Sequence, residues 1–210
     1  MSDLLISAGE SLVTHSLVGA LPAGSADEVL MAAVGLGDVQ GYSALVERHL
    51  PSVYRLCVRM LDDRHEAEDL AQESFARLWQ SAPNWRPVGG GLPAWLHRVA
   101  SNLCFDRMRA RREVPTDDLP ELTDQSPDAL RLIEASQLEQ LLDACLGRLP
   151  AHQRAALVLT YYEGYSNALT AQIMDMKLKA FESLLLRARR RMSDELRLVG
   201  VYGEDLEVLA

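Results

Sequence analysis

One stretch, "PAWLHRVASNLCFDRMRARRE" at 93–113, finishes an amphipathic helical pattern with four arginines among six residues, in a chain of formal net charge -9. Clustered arginines are the side chains that contacts to phosphate need. At helical period Trp95, Leu96, Val99, Leu103 and Ala110 form an arc expected to be buried. The opposite arc carries His97, Arg98, Ser101, Phe105, Met108, Arg109 and Arg112, with Asn102 at its margin. Asp106 is expected to turn toward the core arc and pair with an arginine. Taken alone, the window reads equally well as a solvated basic face with a few stray apolar residues.

A second constellation lies in "LPAHQRAALVLTYYEGYSNALTAQIMDMKLKAFESLLLRARRRM". A helix to Tyr162 breaks at Glu163–Gly164, a short helix begins near Ser166, a tight turn spans Met174–Met176, and a long helix runs to about Arg191. This is the shape of a helix-turn-helix. Leu178, Phe181, Leu185, Ala188 and Met192 make the expected buried stripe. Lys179, Ser183, Leu186, Arg187 and Arg190 face away from it, with Lys177 at the turn. That face suits a major groove, where arginine pairs with guanine edges; a helical hairpin with a solvated basic face is the plainer reading. A third face, on "EAEDLAQESFARLW", sets Glu66, Asp69, Gln72 and Glu73 opposite the apolar Leu70, Phe75 and Leu78.

The formal net charge of -9 argues against nucleic acid until its distribution is considered. Residues 1–30 carry -4, 115–146 carry -7 and 201–210 carry -3, whereas 147–200 carry +4. Positive charge is concentrated at 107–112 and near 177–191. Enzyme chemistry finds no foothold. "HEAED" lacks the second histidine of a zinc-protease helix, "GGG" lacks the lysine of a phosphate loop, and the five histidines are scattered, so no catalytic residue, metal or cofactor is expected. Cys57, Cys104 and Cys145 are widely separated in apolar helical patterns, which disfavours a disulfide framework and fits a reducing cytoplasm. No apolar run reaches the roughly 20 residues of a membrane span, and residues 1–26 make a poor signal peptide because no Lys or Arg stands at their start.

These faces need helices to position them, and the whole chain patterns as all-α. Helix-like runs cover about Asp27–Leu36, Gly41–Leu61, His65–Ser81 and Pro93–Arg112, with "SAPNWRPVGGGLP" as an irregular break. The acidic, proline-rich "EVPTDDLPELTDQSPDA" has linker composition. The expected organisation is an N-terminal extension (1–26), a helical domain (27–113), an acidic linker (114–130), a second helical domain with the helix-turn-helix (131–199) and an acidic tail (200–210).

In that order the motifs resemble an extracytoplasmic-function sigma factor of the sigma-70 family, from about Asp38 to Leu198. "YSALVERHLPSVYRLCVRML" resembles the first helix of sigma domain two, "HEAEDLAQESFARLWQ" its polymerase-clamp-binding helix and "WLHRVASNLCFDRMR" its promoter-melting helix. "LPAHQRAALVLTYYEGYS" resembles the opening of domain four and "ESLLLRARRRM" the end of its recognition helix. The resemblance implies that Glu66, Asp69, Gln72 and Glu73 meet core RNA polymerase. It implies that Asn102 holds a flipped minus-ten base through its amide, with Arg98, Phe105, Arg109 and Arg112 around it. Lys177, Lys179, Ser183, Leu186, Arg187 and Arg190 would then meet the minus-thirty-five element. An anti-sigma factor is an implied partner, and the linker's acids are implied to thread the polymerase's RNA channel. Where the family's turn usually has Gly, an apolar residue and Ser, this chain has Asp175, Met176 and Lys177. A stand-alone helix-turn-helix regulator and a helical adaptor that never touches DNA are the competing readings.

Overall fold

The computed structural model describes residues 27–87, 89–113 and 130–201, and side chains within them except for 112–113 and 130–138. All regular structure among the described residues is helical. The extension at 1–26, the linker at 114–129 and the tail beyond 201 lie outside them.

Helices α1 (Asp27–Gly35), α2 (Val39–Leu61), α3 (Arg64–Ser81) and α4 (Gly91–Glu113) pack as one bundle. Their limits follow from local chemistry. Asp38 caps α2 by accepting from the Gln40 N–H, and Asp63 caps α3 by accepting from the Glu66 N–H. Asp62 between them adopts a left-handed φ of 56°, which ends α2 and lets the chain turn straight into α3. Leu45, Leu56, Met60, Leu78, Leu92 and Leu96 fill the core. Cys57 on α2 and Cys104 on α4 are fully buried there as free thiols.

Helices α5 (Leu130–Gly147), α6 (Ala151–Leu157, continued by a π-turn at Val158–Tyr162), α7 (Asn167–Ile173) and α8 (Leu178–Leu198) form the second unit. Phe181, Leu185, Ala188 and Met192 of α8 pack against α6 and α7, and Cys145 is a third buried free thiol. Leu178, expected in this stripe, is instead 43% exposed, because it sits in the first turn of α8, before the helix meets its neighbours. Leu184 takes a buried place in its stead.

The atypical turn between α7 and α8 closes by a full Schellman motif. Met176 N–H donates to Ala171 C=O at 2.8 Å and Asp175 N–H to Gln172 C=O at 3.2 Å. Asp175 takes the position that favours glycine, at φ 55°, and Lys177 begins α8 without a side-chain cap. Removing the Cβ penalty outweighs the extra entropy of an unfolded glycine, so Asp175→Gly should raise stability in a urea melt by roughly 0.5–1 kcal/mol. A loss of stability would show that the aspartate's contact across the domains matters more than its backbone strain.

The two units pack directly on each other, through α4 with α6 and α7 and through α2 with α5, α6 and the π-turn. In the glycine-rich loop, Gly90 has φ 84°, and a Cβ there would fall 2.8 Å from Leu169 of α7. Arg154 of α6, only 5% exposed, donates to Met60 C=O at the end of α2, to Gly147 C=O at the end of α5 and to Leu149 C=O in the turn that follows it.

Candidate nucleic-acid interface

Helix α4 sorts its residues more finely than periodicity did. Arg98, Asn102, Phe105, Arg109 and Arg112 follow one another by four, three, four and three residues, the spacing of a single helical face. Arg98, Asn102 and Arg109 are exposed and Phe105 is half-buried; the Arg112 side chain lies outside the described residues. Leu92, Leu96, Ala100, Leu103 and Cys104 form the true buried arc. Ala110, expected in that arc, is exposed, because the helix end runs past the body of the bundle. His97 and Ser101, expected on the outer arc, are buried at 3% and 0% exposure. Polar partners from α2 and from the segment between the π-turn and α7 meet His97 there, which a single helix cannot reveal. Asp106 does pair with Arg109 at 3.2 Å, but both are two-thirds exposed and the acid does not face the core.

The arginine cluster divides its work. Arg107 reaches Glu66 at 3.1 Å, while Arg111 reaches Asp63 at 3.1 Å and Glu66 at 2.6 Å, tying the end of α4 to the start of α3. Asp63 is held below the usual carboxylate range, chiefly by the backbone N–H of Glu66 and further by the Arg111 charge. Glu66, expected at a partner surface, is half-buried and makes this internal tie. Its place in the first turn of α3 aims it at the basic end of α4. Asp69, Gln72 and Glu73 remain exposed on α3, with Glu73 paired to Arg77 at 3.0 Å.

On α8 the outward residues Lys177, Lys179, Ser183, Leu186, Arg187 and Arg190 are all exposed, and Leu186 is 49% so. The Ser183 hydroxyl donates back to Lys179 C=O at 3.0 Å, and Arg187 Nε donates to Ser183 C=O at 3.2 Å. Two exposed faces thus combine cations with apolar or amide groups, one on each helical unit. They are not independent here. Arg98 lies 3.6 Å from Asp175 of the turn, and Phe105 stacks on His152 of α6 with ring centroids 4.5 Å apart and planes 7° from parallel. Sequence reading missed both contacts, as well as the buried Arg154, since each depends on how the units meet. Among the described residues no group of His, Cys, Asp or Glu is arranged to hold a metal, and no helix is long and apolar enough to cross a membrane.

Residues 45–114 match the family description Sigma-70 region 2, and residues 139–192 match Sigma-70, region 4. The ECF RNA polymerase sigma factor SigE of Mycolicibacterium smegmatis is 36% identical over 159 residues, covering 74% of this chain and 61% of that one. The ECF RNA polymerase sigma factor SigM of Mycobacterium tuberculosis is 30% identical over 182 residues, covering 87% of this chain and 89% of the relative. Among solved structures, the sigma factor RpoE in complex with the anti-sigma factor NepR from Bartonella quintana aligns with a TM-score of 0.59 at 25% identity, over 76% of this chain and 98% of that one. CnrH, solved with the cytosolic domain of CnrY, shares the fold with a TM-score of 0.60 at 24% identity, over 82% of this chain and 97% of that one. Both exposed faces fall inside the matched regions, α4 in region 2 and α8 in region 4. The chain belongs to the sigma-70 family, among its ECF RNA polymerase sigma factors.

Proposed function

We propose that this chain directs core RNA polymerase to particular promoters, reading the minus-ten element with α4 and the minus-thirty-five element with α8. The observation that carries this reading is the single face of α4 on which Arg98, Asn102 and Arg109 are exposed beside Phe105. Fixed cations hold the backbone of a displaced strand, an aromatic ring supports an unstacked base, and the Asn102 amide offers a donor and an acceptor to a base edge. Arg112, at the next step of the same spacing, belongs to the same role. Asp69, Gln72 and Glu73 supply an acidic and amide patch for a basic surface of the polymerase, and Glu66 orients the helix rather than contacting it. Lys177, Lys179 and Arg190 hold phosphates at the minus-thirty-five element, Leu186 offers an apolar contact, and Arg187 reads a base. An anti-sigma factor is the regulatory partner that the relatives suggest. The chain acts as an initiation factor, with RNA synthesis left to the polymerase, and works in the cytoplasm.

The experiment is reconstitution of the full chain with core polymerase on a cognate promoter, followed by permanganate footprinting of the melted bases. Asn102→Ala is expected to cut open-complex formation about tenfold and to relax preference at one minus-ten position, within the roughly 1–3 kcal/mol that one base contact carries. Binding of core polymerase and protection of the minus-thirty-five element should persist. Full melting with unchanged base preference would reduce Asn102 to a surface residue of a basic helix.

A further inference from the structure

The contact between the two units contains a polar chain, buried at His97 and half-buried at Ser52, Glu163 and Tyr165, whose proton directions can be worked out. Ser52 Oγ on α2 lies 2.7 Å from Glu163 Oε2 and 2.9 Å from His97 Nε2, while His97 Nδ1 lies 2.8 Å from the Tyr165 hydroxyl. A carboxylate only accepts, so the single Ser52 proton goes to Glu163. His97 Nε2 must then carry a hydrogen and donate it to Ser52 Oγ. On a neutral ring this leaves Nδ1 as the acceptor, filled by the Tyr165 O–H. The order is therefore Tyr165 to His97 to Ser52 to Glu163, with every bond satisfied by one tautomer. His97 and Ser52 belong to the first unit, and Glu163 and Tyr165 follow the π-turn of the second. Every hydrogen bond in the chain except that between His97 and Ser52 crosses between units.

We propose that Ser52, His97, Glu163 and Tyr165 form a directional hydrogen-bonded latch that holds the two units face to face in the free chain and must break before both promoter elements can be read. Geometry requires the break. Elements near minus ten and minus thirty-five are about 25 base pairs apart, on the order of 85 Å of duplex at ~3.4 Å per step, whereas Arg98 and Asp175 here lie 3.6 Å apart. The closed arrangement also spends Phe105 on His152. Calling the open state the promoter-reading one rests on the proposed function; the latch itself does not.

The latch has a sense of pH. Burial pulls His97 down to about 4, against the raising effect of Glu163 and with smaller lowering effects from His49 and Arg55 on α2. His49 is itself engaged by Asp27 at 2.9 Å. Burial raises Tyr165 above the usual phenol range, keeping it a donor. A ring released to water titrates near 6.5, so the closed state binds fewer protons than the open one and loses ground as pH falls below that value. Between pH 7.5 and 5.5 the ratio of open to closed should rise about tenfold.

The test uses the full chain alone, carrying a donor and an acceptor dye on cysteines substituted for the exposed Gln80 of α3 and Glu182 of α8. At pH 7.5 a predominantly high-transfer population is expected, and at pH 5.5 about ten times more of the low-transfer one. Glu163→Ala and Tyr165→Phe should each favour low transfer about tenfold already at pH 7.5, with helicity unchanged. Ser52→Ala, which removes the bridging hydroxyl without touching the second unit, should do the same. Transfer that stays high and insensitive to pH in the wild-type chain, or that is unmoved by these substitutions, overturns the latch. Failure of promoter melting in the reconstitution would instead strike the proposed function and leave the latch standing.

Discussion

Arg154→Ala is expected to destabilise the chain by roughly 2–4 kcal/mol, the largest loss from any single side chain outside the apolar cores. Its guanidinium serves the carbonyls of Met60 and Gly147, at the ends of α2 and α5 where no intrahelical donor is available, and that of Leu149 in the turn after α5. The cation also sits at the negative end of two helix dipoles. Removal leaves those carbonyls without their donor in a site where the arginine itself is only 5% exposed. Burial lowers the Arg154 pKa from its usual value, yet the group stays charged at any pH of interest. Urea melts of the full chain would measure the effect, with Arg154→Met as a control that keeps much of the aliphatic volume. A loss below about 1 kcal/mol would mean that water replaces the guanidinium without penalty.

Arg187→Ala should change what the chain reads rather than whether it folds. Its Nε is spent on Ser183 C=O, but the side chain is exposed and its remaining donors form a fork that matches the O6 and N7 of guanine. The Ser183 hydroxyl is turned back onto its own helix, so more of the reading falls to Arg187. Loss of a bidentate base contact costs about 1–3 kcal/mol of discrimination, or roughly 5- to 150-fold between cognate and altered minus-thirty-five sequences. A phosphate contact would instead weaken all sequences alike and lower the salt dependence by about one ion. Binding titrations of the holoenzyme on paired promoter sequences distinguish the two. If neither affinity nor preference moves, α8 does not read DNA through this residue.

The helices and their order were legible because the signals are local. Asp38, Asp63 and Ser166 each cap the helix that follows them, and the glycine-rich break before α4 cannot be mistaken for a helix. The outward residues of α8 were equally legible, since a long helix with one packed side repeats at 3.6 residues. Less was legible where a second element supplies the partner. Nothing local to Glu66 announces that α4 brings Arg107 and Arg111 to it. His97 reads as an outward polar residue unless Ser52 and Tyr165, both remote in sequence, are known to meet it. Arg154 gives no warning in "AHQRAAL", where an arginine at a short helix's end looks solvated.

The three cysteines give the chain a built-in clock for its own breathing. Cys57 and Cys104 have no solvent exposure in the first unit, and Cys145 has none in the second. A thiol reagent can reach them only through excursions that expose the interior, so each labelling rate reports the free energy of opening its own unit. Burial raises the Cys145 thiol, and a hydrogen bond with the Cys57 thiol, then burial, raises Cys104, which leaves little reactive thiolate in the closed interior. Separating the units without unfolding either should leave all three silent, whereas true unfolding of one should sound only its own.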